Sequence, residues 1–210
     1  MTGASATLEH RLLDFWFWPP THAKFGRVRG IWFDSTPDWD AAIRERFEAD
    51  YHRAAAGAYD GLVTTATGAL ALVLLLDQIP RNLFRGRPAA YATDPQARAV
   101  AESALEQGLD RELLPVQRLF LALPYLHSEA MADQRRALCL YADLRPYPET
   151  RDLMAHAIEH FEIMARFGRF PHRNPILARA STREEKAYLA AEAPAFGARP
   201  PEDNIVSGDG

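Results

Sequence analysis

The sequence predicts an all-α protein, a helical bundle of paired antiparallel helices that forms one domain over residues 1–193. Proline and glycine divide the chain into segments of helical length, and several segments carry apolar residues at helical spacing. Alternating apolar runs of strand length are absent. Because 48% of the 210 residues are hydrophobic, one domain of this size can bury a substantial core. Residues 194–210, rich in Pro, Gly and Asp, are predicted to form a flexible tail.

Three helices are predicted in the N-terminal half. The first, 8–17, follows Thr7, a suitable N-cap, and stops before a Pro-Pro pair. The second, 38–56, places Trp, Ile, Phe and Tyr at near-helical spacing, with Gly57 as a C-cap. The third, 66–79, is apolar on every side, which is typical of a central, buried helix.

Five further helices are predicted in the C-terminal half. Asp94 is expected to cap one of them and Pro124 to end the next. Gly168 is expected to end the longest helix, and Ser181 or Thr182 to cap the last, since glutamates follow in its first turn. The predicted ranges are 94–107, 113–123, 128–144, 149–167 and 182–191.

Charge and cysteine content exclude several classes of function. The net charge of −4 argues against a dedicated nucleic-acid-binding protein. Cys139 is the single cysteine, so internal disulfides and multi-cysteine metal sites are excluded. Secretory signals and apolar runs of membrane-spanning length are missing from the sequence. We therefore expect a cytoplasmic protein without membrane or nucleic-acid partners.

An arginine-rich stretch, 166–174, is the most informative motif. It reads Arg-Phe-Gly-Arg-Phe-Pro-His-Arg-Asn and lies in an acid-free region, 163–183, that holds five arginines. Such a cluster repels itself unless acids elsewhere or a bound anion neutralise it. A helix end with its cap explains Arg166 and Arg169, whereas His172, Arg173 and Asn174 follow the proline. An anion site and an internal network of Arg–acid pairs both remain open; stacking on single-stranded nucleic acid is the weaker reading because the protein is acidic.

Two other motifs place polar groups at helix ends. Asp77, Gln78 and Arg81 lie at the end of the apolar helix. They either project into a pocket, or Asp77 and Arg81 form an ordinary pair of residues four apart. His127 and Glu129 flank a serine at a predicted helix start, where cap chemistry is the simpler explanation.

Residues 156–160 match the inverted zinc-protease pattern H-x-x-E-H. Two histidines four apart share a helical face and could bind one metal. The pattern has few fixed positions and no third ligand is evident, so a metal-dependent hydrolase is a minor alternative and we predict no metal ligands. Glycine-rich phosphate loops, dinucleotide fingerprints and nucleophile elbows are absent from the sequence.

Taken together, the long motifs give the chain a family likeness. The segments 75–82, 124–129 and 166–174, with Ser181, Glu184 and Glu185, resemble the bacterial family called domain of unknown function 924, over roughly residues 8–189. That resemblance implies an all-helical, tetratricopeptide-like fold and no established activity. The positions that match its motifs include Asp77, Gln78, Arg81, His127, Glu129, His160, Arg166, Arg169, His172, Arg173 and Asn174.

We therefore expect a small anionic or polar ligand to bind in an Arg/His-lined pocket; the cofactor is unknown. Eight residues are predicted to bind the ligand and three to act as acid or base. A helical scaffold that binds a protein partner is the alternative from another class. The predicted ligand-binding residues are Asp77, Gln78, Arg81, Arg166, Arg169, His172, Arg173 and Asn174, and the predicted catalytic residues are His127, Glu129 and His160.

Overall fold

The computed structural model describes residues 7–191, and the predicted tail lies outside this range. The described residues form helices and no strands, which confirms the all-α prediction. The finer likeness to tetratricopeptide repeats stays a prediction. The helices are α1 (Leu8–Phe17), α2 (Pro37–Ala55), α3 (Ala66–Val73), α4 (Ile79–Leu83), α5 (Asp94–Glu106), α6 (Pro115–Leu126), α7 (Met131–Ala142), α8 (Met154–Phe167) and α9 (Arg183–Ala190).

Helix α3 is the centre of the core. Its residues from Ala69 onward are fully buried, as its uniform apolarity predicts, and it packs against α1, α5 and α6. A wider turn, Leu74–Gln78, with hydrogen bonds from residue i+5 to residue i, joins α3 to α4 without a break. Helix α2 covers this wide turn and α4, while α7 packs between α6 and α8.

The caps explain where several helices begin and end. The Thr7 hydroxyl accepts a hydrogen bond from the backbone N–H of His10, so the predicted cap of α1 is confirmed. Thr182 and Glu185 form a reciprocal capping box at the start of α9. Gly168 ends α8 with a φ of +68°, a left-handed conformation that favours glycine.

Two predicted helix ends were wrong, the one at Pro124 and the one at residue 79, directly before Pro80. Pro124 lies inside α6, and Pro80 follows the wide turn and continues as α4, so neither proline ends its helix. A proline removes one backbone hydrogen bond from a helix, and burial of the flanking apolar residues can offset that loss. Tyr125 and Leu126, both buried beyond Pro124, show this compensation.

Three other helices begin at residues that differ from the predicted helix starts or caps. Asp94 is the first residue of α5 and makes no cap, because its carboxylate is engaged with Arg81. Ser128 precedes α7, which begins only at Met131. A short 3₁₀ turn, Arg151–Leu153, precedes α8, so that helix is shorter than predicted.

Candidate functional site

A cavity of about 1480 Å³ lies between α2, α4, α6, α8 and the 3₁₀ turn Pro171–Arg173. One wall is apolar and is supplied mainly by α6. The polar end of the cavity consists of the predicted site residues that line the cavity. These are Gln78, Arg81, His127, His160, His172 and Arg173.

Side chains bond to three backbone carbonyls beside Pro80. Because proline has no N–H, Pro80 cannot donate to the carbonyl four residues earlier, on Leu76, and that carbonyl accepts a hydrogen bond from the Thr93 hydroxyl at 2.5 Å. The Asn82 amide folds back onto the carbonyl of Gln78 at 2.9 Å, and Arg81 does the same to the carbonyl of Asp77. Wide helical turns of this kind occur frequently at functional sites.

Asp77 is fully buried beneath the polar end, and its carboxylate contacts three polar side chains. It accepts hydrogen bonds from Gln78 at 2.6 Å and from His127 Nδ1 at 2.8 Å, and its Oδ1 lies 3.3 Å from Arg81 Nη1. Burial raises the pKa of Asp77, but Arg81 and His127 outweigh burial and hold the pKa below its usual range. Asp77 is therefore a carboxylate that orients His127.

His127 is placed to act as a base. Burial, followed by the charge of Arg81, lowers its pKa, so the imidazole is neutral at pH 7. Since the Asp77 carboxylate can only accept, Nδ1 carries the proton and Nε2 is left as the basic nitrogen. A carboxylate that fixes the tautomer of a histidine is the arrangement that prepares catalytic histidines for proton transfer.

Arg81 and Arg173 share one carboxylate. Arg81 donates two hydrogen bonds to Asp94, at 2.9 and 3.1 Å. Arg173 Nη1 lies 3.8 Å from the same group, which is too far for a hydrogen bond. Burial lowers the pKa of Arg81, but Asp77 and Asp94 more than offset burial and raise it.

The Arg173 guanidinium is the most isolated charge of the site. The residue is only 7% exposed, and its Nε has no hydrogen-bond partner within residues 7–191. The rings of Tyr91 and Phe170 each lie 4.7 Å from the guanidinium carbon and cover it by cation–π contact. Burial, and then the charge of Arg81, lowers the pKa of Arg173.

Two further histidines, the buried His160 and the half-buried His172, complete the polar end. Burial lowers the pKa of each to about 3, so both imidazoles are neutral at pH 7. The Nδ1–H of His160 donates to the carbonyl of His156 at 2.8 Å, which leaves its Nε2 unprotonated. Within residues 7–191 no group of three His, Cys, Asp or Glu side chains is arranged to hold a metal ion.

Four predicted site residues lie outside the cavity and hold the C-terminal segment, residues 170–191, by hydrogen bonds and ion pairs. Glu129 accepts hydrogen bonds from the backbone N–H of Phe170 at 2.8 Å and from Arg179 Nη2 at 2.9 Å. Asn174, fully buried, accepts from Arg179 Nε at 2.9 Å. The structure therefore gives Glu129 and Asn174 structural partners and does not bring them to the cavity.

Arg166 and Arg169 face α9 and do not line the cavity. Arg169 donates to both carboxylate oxygens of Glu185, at 2.6 and 2.8 Å, and Arg166 pairs with Glu184 at 2.8 Å. The predicted pocket combines Arg81, Arg166, Arg169, His172 and Arg173, and the structure does not bring Arg166 and Arg169 to it. The physical reason is that α9 supplies the carboxylates that pair with Arg166 and Arg169. Residue spacing within the motif does not indicate where α9 packs.

Sequence reasoning missed three residues that shape the site. In the sequence Arg179 is only one arginine of the acid-free region, whereas in the structure it donates two hydrogen bonds to Glu129. Asp94 was interpreted as a helix cap. Tyr91 is the last residue of a 3₁₀ turn, Pro88–Tyr91, and nothing in its local sequence indicates that it covers Arg173.

The fold and the cavity define an all-α protein with the buried Arg173, the half-buried Arg81 and neutral histidines at one end of a large cavity. In sequence, the chain matches the family described as bacterial protein of unknown function (DUF924) over residues 12–193, and it belongs to that family. It is also similar to the solved structure of a protein of unknown function from Agrobacterium tumefaciens. That likeness has 40% identity and a TM-score of 0.76, and covers 88% of this chain and 97% of the other.

The resemblance seen in the sequence motifs is thereby confirmed. Comparison with curated proteins finds no match. Among the described residues, no helix combines the length and apolarity needed to cross a membrane.

Proposed function

We propose that this protein binds a small anionic molecule in the cavity, with the anionic group received at Arg173. The observation that supports this most directly is the buried Arg173 guanidinium, whose Nε has no partner within residues 7–191. A buried charge is costly unless an opposite charge and hydrogen bonds compensate it. A carboxylate or phosphate oxygen at the guanidinium edge would supply both.

The other arginines of the region lie closer to carboxylates than Arg173 does. Arg81, Arg169 and Arg179 each approach a carboxylate to within 3.0 Å, whereas Arg173 stops 3.8 Å from Asp94. Because aromatic rings cover the guanidinium, new hydrogen bonds must form in its plane. Arg173 is therefore the cation of this region that is best prepared for a ligand.

Thermal unfolding in the presence of simple anions tests the proposal. Sodium acetate, benzoate and phosphate are compared with sodium chloride at equal ionic strength. We expect at least one anion to raise the melting temperature of the wild type, and Arg173→Gln to lose that rise. Arg166→Gln is the matched control, because Arg166 belongs to the same motif but forms an exposed pair with Glu184.

Two results would contradict anion binding at Arg173. One is a wild-type melting temperature that responds to none of the three anions. The other is a rise of equal size in wild type and Arg173→Gln. Circular dichroism of each variant before the titration ensures that a folded protein is being compared.

Acid–base chemistry on the bound molecule is a second candidate function, favoured by the 2.8 Å contact between Asp77 and His127. The probe is mono(4-nitrophenyl) glutarate, whose free carboxylate suits Arg173. In its hydrolysis, His127 Nε2 would take a proton from the attacking water while 4-nitrophenolate leaves. We expect His127→Ala to lose any acceleration and the exposed-site control His22→Ala to keep it. Hydrolysis by the wild type no faster than in buffer would argue against this chemistry.

A further inference from the structure

The apolar wall of the cavity is a stripe along one face of α6. Leu119, Leu123 and Leu126 recur at intervals of four and three residues and all line the cavity. The stripe ends beside His127, at the polar end. An apolar surface thus leads along the helix to the cationic group proposed as the anion receptor.

Aromatic and aliphatic side chains extend the apolar wall. Phe120 and Trp32 also line the cavity, with ring centroids 4.9 Å apart and the rings edge to face, and Leu153 contributes from the turn before α8. An apolar lining with a few convergent polar groups is the usual character of a small-molecule site. The apolar wall indicates that part of the ligand is itself apolar, because water gains no hydrogen bonds there.

Away from the polar end, acidic residues outnumber arginines in the cavity lining. Arg44 pairs with Glu48 at 2.9 Å, and Arg85 pairs with Asp40 at 3.1 Å. Arg87 is the third arginine there, and Asp34, Glu45 and Glu159 are further acids, so this side offers no excess positive charge for a second anionic group. The cavity is therefore suited to a ligand with one anionic end and an uncharged body.

The length of the stripe sets the length of that body. At a rise of about 1.5 Å per residue, the helix advances about 12 Å between Leu119 and His127. With carbon–carbon bonds of about 1.5 Å in a zigzag, an alkyl chain of roughly eight to ten carbons spans that distance.

We propose that the ligand is an amphipathic monocarboxylate, with its carboxylate at Arg173 and an aliphatic or arylaliphatic body on the α6 stripe. This inference rests on the proposed anion-binding function and adds the chemical class of the body. It also predicts that carboxylates of different chain length are distinguished by the protein.

Calorimetric titration of the wild type with straight-chain alkanoates from acetate to dodecanoate tests the proposal, at concentrations below micelle formation. We expect the dissociation constant to fall about three- to fourfold for each added methylene, the factor for burial of one methylene group, and to level off near eight to ten carbons. Octanamide, which has the same body without the charge, should bind at least tenfold more weakly than octanoate.

The outcomes separate this inference from the anion proposal. Equal affinity for acetate and octanoate would overturn the amphipathic ligand while leaving anion binding intact. Binding of phosphate but of no alkanoate would do the same. Failure of every anion to bind would overturn both the anion proposal and the amphipathic ligand. Equal affinity for octanoate and octanamide would show that the apolar wall binds ligands without a carboxylate receptor at Arg173.

A variant that fills the stripe gives an independent check. Leu123 is half-buried and lines the cavity, so Leu123→Trp should shorten the longest chain that still gains affinity. An unchanged chain-length profile in the folded variant would contradict the placement of the body on α6. Leu105→Trp is the control, because Leu105 packs on the core outside this cavity.

Discussion

At the scale of single residues, the site depends on which groups carry charge. Burial keeps the three histidines of the polar end neutral, while Asp77 stays ionised because Arg81 and His127 stabilise the carboxylate. Proton positions follow from this distribution, since a carboxylate or a carbonyl can only accept a hydrogen bond.

The tautomer of His127 is therefore a testable property. At pH 8 we expect its proton on Nδ1, bonded to Asp77, and this can be read from the two nitrogen shifts in a long-range ¹⁵N–¹H spectrum. His22 is the internal control, because its Nδ1 accepts from the backbone N–H of Lys24 at 3.1 Å and its proton must lie on Nε2. The same tautomer for both histidines would contradict the assigned role of Asp77.

At the scale of elements, close packing of α3 depends on one glycine. A Cβ built on Gly68 would lie 2.2 Å from the carbonyl oxygen of Leu62, far inside contact distance. The 3₁₀ turn Asp60–Thr64 can approach the helix this closely only because residue 68 has no side chain.

We expect Gly68→Ala to lower the free energy of unfolding by about 2 kcal/mol or more, because overpacking forces the turn away from the helix. Urea denaturation measures the change. Gly61→Ala is the matched control, since a Cβ there meets nothing within 4 Å. Equal stability of the two variants would show that the turn yields without cost.

The C-terminal segment, residues 170–191, is a second element whose position depends on a few polar contacts. We expect Glu129→Gln to cost about 2 kcal/mol, because it weakens hydrogen bonds to Arg179 and to the Phe170 backbone. Hydrogen exchange should rise in this segment before it rises in α3.

The exposed pair of Arg166 and Glu184 provides the comparison, since Glu184→Gln should change stability by less than about 0.5 kcal/mol. If Glu129→Gln were as mild as Glu184→Gln, the contacts of Glu129 would not be holding this segment in place.

At the scale of the whole molecule, the buried histidines link stability to pH. The pKa of His160 and that of His172 are each about 3 in the folded protein, against about 6.5 for an unperturbed histidine. Between these values the unfolded chain binds more protons than the folded one. Stability is therefore full above pH 6.5 and falls as the pH falls toward 3.

The expected slope is up to about 1.4 kcal/mol per pH unit for each histidine. Urea denaturation between pH 4.5 and 6.5 measures it, and His172→Gln should reduce it. A slope that is identical in wild type and variant would show that His172 is already protonated in the folded protein.

Much of the fold can be predicted from the sequence, because local patterns control helix formation. The buried character of α3 follows from its uniform apolarity, and Thr7, Thr182 and Gly168 act as the predicted caps. Pro80 and Pro124 were misread because the cost of a proline is local, whereas the packing that compensates it comes from distant segments.

The helical class, the family and the residue types of the polar end follow from the amino-acid sequence, since each depends on local patterns or on long motifs. The packing of distant segments is needed to tell which charges of the arginine-rich stretch face acids and which face the cavity. Helix α9 supplies carboxylates for Arg166 and Arg169, while Arg173 lies between two aromatic rings and near a carboxylate already bound to Arg81. Pairing of charges depends on distances between segments far apart in the chain, and residue spacing along one segment does not contain those distances.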